Sequence, residues 1–132
     1  FEGWCVGARP QKNKELIKPI NSLEKNQDSK LIWRNKVNKE LKNEYKKIFD
    51  KIDRLIFLKV PNFECVYKWR LLQEKKLQLT SRGKKIMSAI QVREFIMYYE
   101  RITKQMLKNL TNKAYAVLYL DKKHRFNKIK FN

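Results

Sequence analysis

Arginine and histidine side chains at three places in this sequence could bind carboxylate or phosphate groups. Arg9 follows a glycine and an alanine and precedes a proline, and its planar guanidinium matches both kinds of anion. Arg70 has the same chemistry, but Glu74 four residues later offers it an ordinary helix-surface partner. His124 is the only histidine of the sequence, and a lone histidine in a turn is more often structural than functional. Each of these side chains needs a structural element that places it beside a ligand.

The stretch around Pro61 predicts a strand, a tight turn and a helix. The apolar run from Leu55 to Val60 suits a buried strand, and Pro61 cannot continue strand pairing because it has no N–H to donate. Asn62 is a good N-cap for the helix that carries Arg70. Apolar residues then recur at helical spacing: Phe63, Val66, Tyr67, Leu71 and Leu72. In a sheet of βαβ units the ligand lies at the carboxyl ends of the strands, so we expect the turn at residues 59–62 to face it.

A second parallel strand is predicted from Ala114 to Leu120. It ends at Asp121, where a polar cluster that includes His124 begins. Residues Phe126 to Phe131 alternate apolar and polar, which is typical of a short terminal strand. The predicted fold class is α/β, a partial parallel sheet with flanking helices, in a chain of 132 residues that is one domain at most.

One amphipathic helix is predicted before the first strand. Asp28 or Ser29 is expected to cap it, and Trp33 is expected in the core. Its apolar stripe has mostly four-residue spacing: Ile32, Val37, Leu41, Tyr45, Ile48 and Ile52. The segment before it, from Cys5 to Gln27, is interrupted by prolines and is expected to be irregular.

A long helix is predicted between the two strands. The capping box formed by Ser88 and Gln91 opens it, and we expect it to end near Leu110. The side chains expected on its buried side are Val92, Phe95, Ile96, Tyr99, Ile102, Met106 and Leu107. The segment from Leu77 to Lys85 is expected to form a basic, flexible loop before it.

The net charge of +19 comes from 32 lysines and arginines against 13 acidic residues. Such a charge is typical of a surface that binds polyanions, but 24 of the 32 basic residues are Lys, and Asn and Ile are abundant at 11 each. A nucleic-acid-binding surface would more often use Arg, whereas Lys, Asn and Ile together indicate compositional drift. Both interpretations stay open, and both predict non-specific polyanion binding at low salt.

The cysteines and the hydropathy pattern indicate in which cellular compartment we expect the chain. Cys5 and Cys65 are too few for a disulfide framework, and two free thiols suit a cytoplasm or an organelle stroma. No apolar run approaches the length of a transmembrane helix, so we expect no membrane partner.

Four segments carry a resemblance to a known family: Phe1 to Pro10, Trp33 to Asn38, Trp69 to Glu74 after a strand that ends in Lys-Val-Pro, and Phe95 to Thr103. They resemble segments of the D-glycerate 3-kinase family, P-loop kinases related to uridine kinase, phosphoribulokinase and pantothenate kinase. The segments occur in the order of that family and with about its spacing, and the resemblance covers essentially the whole chain. One such motif alone would be weak, but four in order are hard to explain by chance.

The resemblance implies roles for individual residues. Glu2 takes the place of an acidic residue at a strand end that holds Mg²⁺ or orients the substrate hydroxyl. Arg70 takes the place of a lid arginine that stabilises the transferring phosphoryl group. The implied substrate- and phosphate-binding residues are Arg9, Gln73, Glu74, Tyr99, Arg101 and His124. The same positions also allow structural interpretations: a frayed terminal carboxylate at Glu2, and surface Arg–Glu pairs at Arg70 and Arg101.

The ATP site of the family requires the motif G-x-x-x-x-G-K-[ST], which this sequence does not contain. The resemblance therefore implies the C-terminal portion of a kinase domain whose intact form transfers a phosphoryl group from ATP, with Mg²⁺, to D-glycerate. We expect this chain alone to be inactive. We also expect it to self-associate or to be only marginally folded, because two parallel strands without inner neighbours expose edges and an apolar face. A missing N-terminal half is expected from the absent motif. The alternatives are a basic nucleic-acid-binding module and a non-catalytic kinase remnant.

Overall fold

The computed structural model describes residues 1–80 and 86–132. Four short helices precede the first strand, and two longer helices connect it to a terminal pair of strands. The elements are α1 (Asn13–Ile17), α2 (Ser22–Gln27), α3 (Ile32–Lys42), α4 (Glu44–Phe49), β1 (Ile56–Lys59), α5 (Phe63–Thr80), α6 (Ala89–Asn109), a 3₁₀ turn (Leu110–Asn112), β2 (Ala116–Leu120) and β3 (Phe126–Phe131).

The three strands form one sheet in the order β1-β2-β3. β1 pairs with β2 in parallel, with Ile56 opposite Ala116, and β3 runs antiparallel to β2, with Phe131 also opposite Ala116. Both predicted parallel strands and the predicted terminal strand are therefore confirmed, as is the α/β fold class with its flanking helices.

Polar side chains lie at the starts of α5 and α6 where the sequence predicts them, whereas α3 begins at Ile32 with Leu31 at its N-cap position rather than Asp28 or Ser29. The Asn62 Oδ1 accepts a hydrogen bond from the Cys65 N–H at 3.0 Å, which caps α5. Ser88 and Gln91 form the reciprocal capping box at the start of α6. The Asp28 carboxylate accepts the N–H groups of Trp33 and Arg34 at 2.9 and 3.1 Å, so it satisfies two orphan donors at the start of α3.

The predicted helix before β1 is broken in two, because the backbone leaves helical geometry at Asn43. Leu41 and Phe49 both join a buried cluster with Ala8, Met106 and Leu110. In an uninterrupted helix, eight residues would turn Phe49 about 80° away from Leu41. The break lets both side chains face the same core, and the four-residue stripe did not reveal it.

Several sequence-based expectations are wrong. The resemblance implies a strand end at Glu2, but residues 1–4 form no strand. Residues 5–27 are not irregular throughout, since they contain α1 and α2. Trp33 is 64% exposed rather than in the core, because it lies beside a cavity that no other side chain fills. Residues 77–80 belong to α5 rather than to a loop, and the rest of the predicted loop, residues 81–85, lies outside the described residues.

The sheet has one covered face and one open face. Phe57 packs against the buried cluster, and its cross-strand neighbour Val117 is fully buried. Directly paired residues project to the same side of a sheet, so the alternate positions form a second face that is entirely apolar. We name as the apolar sheet face Ile56, Leu58, Ala116, Leu118, Leu120, Phe126, Ile129 and Phe131. Its five most accessible side chains are 47–63% exposed.

The helices in residues 1–80 and 86–132 are too short or too polar to cross a lipid bilayer.

Candidate functional site

Arg70 lies on α5 where that helix packs against α6. Its Nη1 donates to the Gln73 Oε1 at 2.5 Å, and its Nη2 lies 2.5 Å from the Glu74 Oε1. Its guanidinium carbon is 5.6 Å from the centre of the Phe95 ring on α6. The Nε is buried and has no hydrogen-bond partner among the described residues. The side chain is thus held in place while one donor stays unsatisfied.

Glu74 is the residue that fixes this arginine. It is only 3% exposed, and its second oxygen accepts the Met87 N–H at 3.0 Å. Both carboxylate oxygens therefore have partners, and one of them is Arg70. The ion pair four residues apart, which was the structural interpretation of this motif, is present. An arginine that is fixed in this way is also preorganised for an anion.

Aromatic side chains connect Arg70 to the first residues of the chain. Phe95 and Tyr99 lie one turn apart on α6 with ring centres 5.0 Å apart, and Trp4 meets Tyr99 edge-on at 4.8 Å. We name as the α5–α6 cluster Trp4, Arg70, Gln73, Glu74, Phe95 and Tyr99. Four of the predicted site residues are therefore brought together.

Glu2 is exposed and precedes Trp4 by two residues. It makes no hydrogen bond within the described part of the chain, and no group of three or more potential metal-ligating side chains gathers there. The role of Glu2 as a ligand that supplies one carboxylate to Mg²⁺ stays a prediction.

Arg101 lies on a different part of α6 and binds α2. Its Nε and Nη2 each donate to a Glu24 oxygen at 2.6 Å, which is a bidentate pair. Its Nη1 donates to the Glu15 carbonyl and its Nη2 to the Lys18 carbonyl, both at 2.9 Å. Nearly all of its donors are taken by protein acceptors, so Arg101 fastens the α1–α2 segment to α6. Its substrate role stays a prediction.

A second arginine extends this arrangement into the interior. The Nε of Arg34 on α3 donates to the Asp28 Oδ2 at 2.8 Å, and its Nη1 donates to the Leu16 carbonyl at 2.8 Å. The same Nη1 lies 3.7 Å from the Glu24 Oε2. We name these four side chains the buried ion network: Glu24, Asp28, Arg34 and Arg101. It was not predicted, because Glu24 and Arg101 are 77 residues apart and charged residues are common throughout the sequence.

The two carboxylates of the buried ion network stay ionised. Burial alone would raise the pKa of Glu24, but the hydrogen bonds from Arg101 and the Ile20 N–H and the charges of Arg101 and Arg34 outweigh it and lower the pKa. For Asp28, burial is likewise outweighed by the Arg34 side chain and by two backbone N–H groups, so its pKa is also lowered.

Arg9 and Arg101 border one cavity of about 440 Å³ between α2, α3 and α6, with Trp33 and Tyr98 at its rim. Arg9 is half exposed, and its Nη1 donates to the Asp50 Oδ1 at 2.9 Å. Its carbonyl accepts a hydrogen bond from the Gln105 side chain. Arg9 is therefore outside the α5–α6 cluster, and its anion-binding role stays a prediction.

His124 lies in the turn between β2 and β3 with a positive φ of 64°. Its ring stacks on Trp69 of α5 with 4.1 Å between ring centres, and the Trp69 Nε1 donates to the Lys122 carbonyl at 3.2 Å. The turn after β2 thus meets the helix after β1, as expected of parallel strands whose carboxyl ends share one edge. Since Trp69 precedes Arg70, α5 links this edge to the α5–α6 cluster. The contacts of His124 fit a structural role, and its substrate role stays a prediction.

No family model matches the chain. A curated protein of Schizosaccharomyces pombe, the uncharacterized kinase mug58, is 36% identical over 116 residues, which are 87% of this chain and 40% of that kinase. Among solved structures, D-glycerate 3-kinase from Cryptococcus neoformans superposes with a TM-score of 0.74 at 20% identity, over 100% of this chain and 48% of that one. The YGR205w protein superposes with a TM-score of 0.66 at 25% identity, over 97% of this chain and 45% of that one.

The chain therefore spans less than half the length of these relatives. Its fold is shared with a solved D-glycerate 3-kinase, and a curated kinase is its relative in sequence. This agrees with the resemblance to the C-terminal portion of P-loop kinases.

Proposed function

This chain has the fold of a P-loop-type kinase over less than half of such a kinase's length, and from that premise we propose that it is the C-terminal part of a kinase. The reaction proposed for the intact enzyme is transfer of the γ-phosphoryl group of ATP to the 3-hydroxyl group of D-glycerate, giving 3-phosphoglycerate. The choice of D-glycerate is supported by the likeness to the Cryptococcus enzyme and by the four sequence segments that resemble its family.

The observation that carries this proposal is the apolar sheet face. Parallel sheets of α/β proteins are covered by helices on both faces, and their strands are apolar on both sides for that reason. Here one face is covered by the chain's own core, whereas the other exposes side chains such as Leu58 and Phe131. β1 also pairs on one side only within the described residues. The sheet therefore has the composition of a sheet interior, which supports a larger α/β fold around it.

Within that fold, we assign Arg70 the task of stabilising negative charge on the transferring phosphoryl group. Glu74 and Gln73 hold the guanidinium in one orientation, and about 25% of the Arg70 side chain stays exposed, so an anion has access to it. Tyr99 supports Trp4, and through it the segment that carries Glu2. Mg²⁺ bound with ATP in the intact enzyme would neutralise charge on the phosphate oxygens.

The proposal is tested in a chimera in which this chain replaces the matching 48% of the Cryptococcus D-glycerate 3-kinase. We expect ATP-dependent phosphorylation of D-glycerate, measured as production of ADP. Arg70→Ala should lower kcat by about 100- to 1000-fold, as the loss of one preorganised transition-state donor does. The matched control is Arg54→Ala. Arg54 lies before the amino end of β1, whereas the ligand is expected at the carboxyl ends of the strands, so this substitution should leave kcat within about twofold.

Two outcomes would contradict the proposal. A folded chimera that hydrolyses or transfers phosphate but ignores D-glycerate would refute the substrate, and full activity of Arg70→Ala would refute the role of Arg70. Circular dichroism and thermal melting establish in each case that the chimera is folded. The 132-residue chain alone should show no turnover, because its sequence has no phosphate-binding glycine motif.

A further inference from the structure

A second concavity lies between the α1 segment and the C-terminal half of α6. Its volume is about 540 Å³, and four lysines line it: Lys12, Lys14, Lys104 and Lys108. Arg101 forms part of its wall, and Glu15 is the only carboxylate among its lining residues. We name this the lysine cavity. It does not include any residue of the α5–α6 cluster.

Lysine is the most frequent residue type among those that line this cavity. Lysines make up four of the eleven lining residues, against 24 of the 132 residues in the sequence. Among the described residues, Lys104 has an ion-pair partner, Glu100 at 2.5 Å, whereas Lys12, Lys14 and Lys108 have none. Unpaired lysines also occur elsewhere on the described surface, for example Lys36 and Lys39, but here three of them border one concavity. Ammonium groups gathered at a concavity create a focused positive potential.

The walls of the lysine cavity are fixed by the protein itself. Arg101 of α6 donates to the Glu15 and Lys18 carbonyls at 2.9 Å, and Gln105 donates to the Arg9 carbonyl. These bonds fasten the segment that carries Lys12 and Lys14 to the helix that carries Lys104 and Lys108. A ligand would therefore meet an arrangement that is already formed, which lowers the entropic cost of binding.

We propose that the lysine cavity binds a small anion that carries two or more phosphate groups. Its volume lies in the range of small-molecule sites, about 300–1000 Å³. A nucleic-acid duplex would require a basic stripe along its backbone rather than a concavity of this size. Lysine ammonium groups act as point charges on phosphate oxygens and require no fixed fork geometry. This inference does not depend on the proposed kinase reaction.

The test is calorimetric titration of the 132-residue chain with inorganic tripolyphosphate at ~0.15 M salt, where exposed charges are well screened. The variant is Lys12→Gln combined with Lys108→Gln. The charge-matched control is Lys36→Gln combined with Lys39→Gln, two exposed lysines of α3 that border neither cavity and have no ion pair in the described part of the chain. Both variants change the net charge by the same amount, so only position distinguishes them.

We expect one tripolyphosphate per chain, a loss of affinity of about tenfold or more in the cavity variant, and less than about twofold in the control. Equal losses in the two variants, or no saturable binding by the wild type, would overturn the proposal. So would a DNA duplex that displaces tripolyphosphate and binds the cavity variant more weakly than the control. All four lysines are exposed, so the thermal melts should match that of the wild type.

Discussion

The buried ion network and the apolar sheet face differ in how their side chains meet solvent. In the buried ion network, two arginines and two carboxylates leave solvent together, and each charge meets an opposite charge or a backbone group of the same chain. In the apolar sheet face, side chains suited to a protein interior stay in contact with solvent. Within the described residues, the charges of the first region all have partners, whereas apolar side chains of the second stay exposed.

The difference shows that burial and completeness are separate properties. Desolvated charges are stable only where every partner is in place, so the buried ion network must be finished within this chain. Exposure of apolar side chains costs free energy in proportion to the exposed area, but no single side chain must have a partner. An apolar sheet face can therefore stay exposed until another surface covers it.

The largest effect is expected from Arg34→Ala. Without the Arg34 guanidinium, the buried Asp28 carboxylate has no cationic partner, and Glu24 loses one of its two. This should lower the free energy of unfolding by about 3–5 kcal/mol. Urea denaturation followed by circular dichroism measures this value. Lys36→Ala, two residues along the same helix and exposed, is the control and should change the value by less than about 0.5 kcal/mol. Similar free energies of unfolding for Arg34→Ala and Lys36→Ala would show that the buried ion network does not depend on Arg34.

An intermediate effect is expected from Glu24→Gln. At pH 7 it removes the charged partner of Arg101 and should cost about 1.5–3 kcal/mol. The pKa of Glu24 is lowered in the folded chain, so its stabilisation is complete above its ordinary value of 4.5 and is lost as the pH falls through the lower folded-state value. The difference between wild type and variant should therefore shrink on acidification.

Denaturation curves between pH 7 and pH 3 measure that convergence. Glu94→Gln is the control, because Glu94 is exposed on α6 and makes no ion pair within the described residues. Its curve should run parallel to that of the wild type at every pH. A wild-type–variant gap for Glu24→Gln that stays constant down to pH 3 would show that this carboxylate is not stabilised as an anion.

The smallest effect concerns the apolar sheet face. Leu58→Cys, with the two natural cysteines replaced, should react rapidly with a maleimide in the 132-residue chain, since Leu58 is 55% exposed. In the kinase chimera described above the reaction should be slower by about tenfold or more, because the added part of the fold covers the face. Peptide mass spectrometry gives the rate at this one site, and the result does not require an active enzyme.

Ile32→Cys is the matched control for this labelling, because Ile32 is exposed on α3 and should react equally in both contexts. Equal rates at position 58 would refute the covered face. A rate in the isolated chain that falls as its concentration rises would show that a second copy covers the face instead.

Local signals made about half of this molecule predictable from sequence. The apolar run before Pro61, the cap at Asn62 and the box at Ser88 act within a few residues, so β1, α5 and α6 begin where their sequences indicate. The residue types of the candidate site could be predicted for the same reason. The adjacent positions of Arg70 and Glu74 on one helix follow from their spacing alone.

The remainder depends on partners that are distant in sequence. Arg101 was interpreted as a substrate-binding residue, because no local sequence pattern shows that Glu24 accepts the hydrogen bonds of its guanidinium. Trp33 was expected in the core because a large apolar side chain usually is, but the facing side of its cavity stays open. The break at Asn43 reflects a shared core for Leu41 and Phe49, which a helix-period pattern cannot report.

The pairing of β1 with β2 has a consequence during synthesis of the chain. Ile56 pairs with Ala116, so sixty residues must leave the ribosome before the first strand finds its neighbour. At ~5–20 residues per second this takes roughly 3–12 s. Over that interval the edge of β1 that later pairs with β2 stays open, so an extended segment of a neighbouring chain has access to it.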